Sequence, residues 1–180
     1  MAIKRFHQSL QGRDAELHER RILALRDAGV RLPRMFMVRL EDGSWAQVSP
    51  LFGSLRAGSK LWQPGQFYKT LSREQKHFAV DQLTRAANAG YTPSIDLFVM
   101  FRDPGKGIIP LDLDLVVAEP GSIERARKLI RAIVQLGESG AERDELLSVA
   151  SAAATSPTQA AIGESLSGPK NPFRSLWNLQ

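Results

Sequence analysis

The chain has no cysteine, which excludes disulfides and thiolate metal sites and fits a reducing compartment. It also has no apolar run of about 18 residues to span a bilayer. The leading Met1-Ala-Ile-Lys-Arg-Phe-His7 lacks the apolar centre of a secretory signal. A cytoplasmic protein without membrane insertion is the expectation. A net excess of positive charge is missing from most of the chain as well: the formal charge is +5, yet residues 1–39 hold nine Lys/Arg against four Asp/Glu, so residues 40–180 balance at fifteen of each. That excludes a polycationic surface and leaves a basic leading segment, suited to an arm or one docking face. No Cys/His pair, nucleophile elbow or dinucleotide fingerprint occurs. Arg102-Asp-Pro-Gly-Lys-Gly107 lacks the phosphate-loop spacing and the following Ser/Thr. No cofactor is expected, and catalysis is not the default.

What is present suits one α+β domain, since 180 residues with 43% hydrophobic content can build a single core. The expected boundaries are a basic arm over 1–12, the domain over 13–154, and a flexible linker with an apolar terminal peptide over 155–180. The stretch from Tyr91 to Leu136 organises the chain. Residues 94–101 are rich in β-formers, residues 103–107 carry turn chemistry, and residues 108–117 predict the returning strand. Alternation from Leu111 to Leu115 places Asp112 and Asp114 on one face, and Pro110 marks an edge or bulge. Asp42-Gly43 between residues 35–40 and 45–49 predicts a second hairpin.

An isolated hairpin is marginal in water, so both are expected in one antiparallel or mixed sheet of about four strands, covered by three to four helices. The first helix should run from Arg13 to Ala28 on an apolar stripe of Leu17, Ile22, Leu25 and Ala28, with Gly29 as its stop. Ser72 and Gln75 form a capping box for the second, and Ser139 and Glu142 for another. Between them, Ser122 is the expected N-cap and Gly137 the left-handed stop of the best-defined helix. Ile123, Ala126, Ile130, Ile133 and Val134 recur there at helical spacing, and Arg127, Lys128 and Arg131 lie opposite.

Three function classes compete. The terminal peptide carries Phe173, Leu176, Trp177 and Leu179, unusually apolar for a free tail. Those residues point to docking on a protein partner or in a homo-oligomer, and to a non-enzymatic binding or assembly protein. Alternatively, Arg20 and Arg21 with Arg56, Lys60, Trp62 and Tyr68 combine cations with rings, the materials of a single-strand nucleic-acid platform. Thirdly, Asp112 and Asp114 suit a divalent cation for phosphoryl chemistry. Residues 51–54 (Leu-Phe-Gly-Ser) and 111–117 (Leu-Asp-Leu-Asp-Leu-Val-Val) together resemble pieces of a minimal nucleotidyltransferase. That resemblance implies a Gly-Ser turn holding nucleotide phosphates and an Asp-x-Asp strand binding Mg²⁺. In the family a short helix separates the two pieces, whereas here the intervening segment is long. The element order also resembles profilin-like and roadblock-like layouts, which implies an interaction module.

Overall fold

A computed structural model describes residues 2–5, 12–50, 71–100, 107–111, 113 and 116–167. In chain order it contains β1 (Ala2–Arg5), α1 (Gly12–Asp27), β2 (Phe36–Arg39), β3 (Trp45–Ser49) and α2 (Arg73–Asn88). A 3₁₀ turn (Ile95–Leu97) then leads into β4 (Phe98–Met100) and β5 (Ile108–Pro110). The chain continues through α3 (Ser122–Leu136), α4 (Gly140–Ala153) and α5 (Ser156–Ser167). The class is α+β.

The strands form two sheets instead of the expected one. β1, β3 and β2 make a three-stranded antiparallel sheet in that order, and among the described residues β4 pairs with β5 alone. The third strand comes from the segment expected to be a loose basic arm: Ile3 lies opposite Val48 and Lys4 opposite Gln47. Lysine and arginine are tolerated on an edge strand because they block further pairing, so their charge concealed a strand signal. With its hairpin supported from the N-terminus, the first sheet has no need of the second. β5 packs on α2 instead.

The β2–β3 turn forms as expected. Gly43 takes φ +81°, Asp42 Oδ1 accepts from Ser44 N at 2.9 Å, and Leu40 N donates to Ser44 O at 2.8 Å. The other pair is shorter than expected. Ser94 Oγ accepts from Asp96 N and Ser94 N donates to Thr92 O, which coils the chain into a 3₁₀ turn before β4 begins. β5 ends at Pro110, and Asp112 and Asp114 lie outside the described residues.

Helix ends follow local chemistry closely. At α1 and α2, Gly29 and Gly90 adopt φ +81° and +87°. The next residues, Val30 and Tyr91, donate back to Leu25 O and Ala86 O, the six-to-one bond of a left-handed cap. The Ser72–Gln75 capping box is complete. α3 departs from expectation at both ends. Gly121, not Ser122, is the N-cap, and Gly137 has φ −86°. Gly137 is required by close approach: a Cβ there would sit 2.6 Å from Arg143 Cγ and 3.2 Å from Arg143 N.

α3 is the central helix and touches α2, α4 and α5. Leu129, Ile130 and Ile133 are fully buried, and only a narrow stripe of Glu124, Arg127, Arg131 and Gln135 remains exposed. α5 occupies the stretch expected to be a flexible linker. Its buried positions Thr158, Ala161, Ile162 and Ser165 follow helical spacing, but all except Ile162 are small and weakly apolar, which suits close packing on α3 while giving little hydropathy contrast. Asn88 clamps the junction. Its Nδ2 donates to Ala153 O at 2.9 Å, and its Oδ1 accepts from Thr155 N at 3.1 Å.

Candidate functional site

α1 connects several of the stretches singled out in the sequence. Its buried stripe is Ala15, His18, Ile22 and Leu25, so Leu17 lies outside it, contrary to expectation. His18 takes the inward place and donates from Nε2 to Gln47 Oε1 at 2.8 Å, both groups being buried. This bond ties α1 to β3.

Two arginines of α1 turn to backbone carbonyls. Arg21 Nη1 donates to Leu113 O at 2.8 Å, and Arg26 Nη2 donates to Pro33 O and Met35 O, each at 2.9 Å. Arg21 thus holds the residue between Asp112 and Asp114, and α1 anchors both that segment and the strand leading towards residues 51–54. What remains outside is acidic. Among the described side chains of α1, Asp14, Glu16, Glu19 and Asp27 are exposed against one exposed cation, Arg20. Leu17 and Leu23 stand among them at 50% and 52% exposure.

A second charged cluster joins the starts of α2 and α4. Lys76 is buried, with Nζ 2.7 Å from Glu142 Oε1 and 3.3 Å from Glu138 Oε1. Burial pushes the Glu142 carboxyl up, but the Lys76 ammonium and the Glu138 backbone N–H together hold it below its ordinary value. Arg73 Nε donates to Glu145 Oε1 at 2.6 Å, and His77 Nε2 lies against the same oxygen. The Arg73 hydrogen bond lowers the Glu145 carboxyl, and the same bond raises Arg73. These pairs staple helix to helix. Other cations are likewise engaged, Arg85 on Asp81 at 2.9 Å and Lys128 on Glu119 at 2.6 Å.

Of the candidate residues, Arg20 is exposed and Arg21 is engaged with the backbone. Arg56, Lys60, Trp62, Tyr68, Phe173, Leu176, Trp177 and Leu179, like the two aspartates, lie outside the described residues. Among the described residues there is no group of three or more His/Cys/Asp/Glu placed to hold a metal ion, and no helix long and apolar enough to cross a membrane. The inward role of His18 could have been found from its spacing with Ala15, Ile22 and Leu25. The backbone bonds of Arg21 and Arg26 had no sequence signal, because a carbonyl partner leaves no mark on residue type. No protein-family model matches the chain, and no curated protein matches it.

Proposed function

We propose that this is a non-enzymatic binding or assembly protein, cytoplasmic in setting, that acts through its α+β body and an apolar C-terminal peptide. The observation that carries this reading is where α5 ends. The helix, which ends at Ser167, is packed on α3 through Ser165 and pinned just before its start by the Asn88–Thr155 bond, so its end is held to the body. Five residues, six Cα steps, separate Ser167 from Phe173, a reach of about 20 Å at full extension. A short tether on a rigid body raises the effective concentration of the peptide at a site within reach. Burying Phe173, Leu176, Trp177 and Leu179 contributes up to about 1.5–3 kcal/mol for each side chain.

The nucleic-acid reading draws less support. Arg21 holds a backbone carbonyl and the exposed face of α1 is acidic among its described side chains, which weakens phosphate attraction there. Removal of residues 171–180 tests the proposal. Loss of a partner or oligomer with unchanged melting supports docking on another chain, and lowered melting supports docking on the parent body. A truncated protein that assembles and melts like the full chain would sink the proposal.

A further inference from the structure

We infer that the outer edge of β2 takes up an extended acidic segment of a partner protein as an added strand. This goes beyond the reading of the C-terminal peptide and does not depend on it. β2 stands at the end of its sheet, with β3 its one strand partner among the described residues. Antiparallel hydrogen bonding alternates along a strand. Leu40 N donates to Ser44 O at the hairpin end, so by the register Val38 and Phe36 also bond towards β3. Met37 and Arg39 then turn their N–H and C=O groups to the side away from β3. One step earlier that side is already engaged, because Met35 O accepts from Arg26 Nη2 at 2.9 Å.

The side chains give this edge its sign. Arg34 and Arg39 are exposed near its two ends, at most about 17 Å apart along an extended chain. Phe36, 40% exposed, stands between them in the sequence and gives an added strand an apolar contact. Among the described residues neither arginine is in an ion pair, whereas Arg73, Lys76, Arg85 and Lys128 each face a carboxylate. Arg31 is turned to the ring of Phe78 at 5.9 Å. Glu41 and Asp42 lie past Arg39 in the turn, where Asp42 holds Ser44. Two unneutralised guanidiniums beside backbone donors and acceptors match carboxylates on an extended chain. This chain has no such segment to offer from outside the described residues: residues 6–11, 51–70 and 168–180 hold no acid. Its acids there are Asp103, Asp112 and Asp114, and the last two flank Leu113, whose carbonyl is held by Arg21 on α1. A second copy of the same edge would add like charge, which blocks edge pairing. Single-stranded nucleic acid matches the charge but brings no alternating donors and acceptors for Met37 and Arg39.

Fluorescence anisotropy of the full chain with labelled probes at low salt tests this. The probe is a peptide of about seven alternating glutamate and valine residues, the span of the edge and its flanking arginines. Its controls are the same peptide with every backbone nitrogen methylated, a version with lysine for glutamate, and a thymidine oligonucleotide. The acidic peptide is expected to bind saturably. Arg34→Ala with Arg39→Ala is expected to weaken it about tenfold, as for the loss of two exposed ion pairs, and both side chains are exposed, so the fold is not threatened. Arg34→Glu with Arg39→Glu is expected to reverse the preference and take the lysine peptide. No saturable binding of the acidic peptide below about 1 mM overturns the inference. So does undiminished binding of the methylated peptide, undiminished binding by the alanine variant, a charge-reversed variant that keeps the acidic peptide, or displacement of the peptide by the oligonucleotide. Each of these results leaves the docking reading of the C-terminal peptide standing, because truncation alone decides that reading.

Discussion

Gly90 and Gly137 both close helices, for different physical reasons. Gly90 has open space where a Cβ would go but holds φ +87°, so its constraint is backbone conformation. Gly137 has ordinary backbone angles and no space, because the first turn of α4 passes against it. Gly90→Ala is therefore expected to cost about 1–2 kcal/mol, and Gly90→Asn less, since asparagine tolerates the left-handed region. At Gly137 both substitutions are expected to cost about 1–3 kcal/mol through overpacking, with asparagine no better than alanine. Denaturant unfolding of the four variants checks this, and an asparagine advantage at Gly137 would contradict the close-approach account. Sequence pattern found glycine at both helix ends but could not separate the two causes. It also put Leu17 in the core in place of His18, because hydropathy ranks leucine first while the buried stripe needed a side chain able to reach Gln47.

At the scale of elements, legibility tracked how local the determining chemistry is. The Ser72–Gln75 box and the Asp42-Gly43 turn are closed by atoms within a few residues, and both form as expected. β1 and α5 depend on distant partners. β1 is four residues long and exists through pairing with β3, and α5 exists through Ile162 and the small side chains around it set against α3 and through Asn88. Asn88 serves the end of α4 and the start of α5 at once, so Asn88→Ala leaves Ala153 O and Thr155 N without this partner. The expected cost is about 1–3 kcal/mol. Hydrogen exchange should show lost protection concentrated in α5, whereas uniform loss across the chain would mean that the clamp is not specific to that junction.

The whole molecule holds its helical layer to acid through the α2–α4 carboxylates. Glu142 and Glu145 both titrate below the ordinary 4.5 when folded, so their contribution is fully present above that value. It is lost as pH falls through the lowered values, where the unfolded chain binds more protons than the folded one. Melting is expected to hold from pH 7 to about 5 and to fall below about 4.5, with a shallower fall in a Glu142→Gln, Glu145→Gln variant. An identical acid limb in that variant would assign the acid sensitivity to other groups. The docking claim lives at this scale too, and its anchor can be observed directly. The chain has three tryptophans, Trp45, Trp62 and Trp177. In a Trp45→Phe, Trp62→Phe variant excited selectively at indole, the remaining tryptophan emission belongs to Trp177 alone. A docked peptide gives blue-shifted emission protected from iodide at high protein concentration, moving to the red on dilution if the dock is on a second copy. Emission typical of an indole in water, open to iodide at every concentration, would contradict the account.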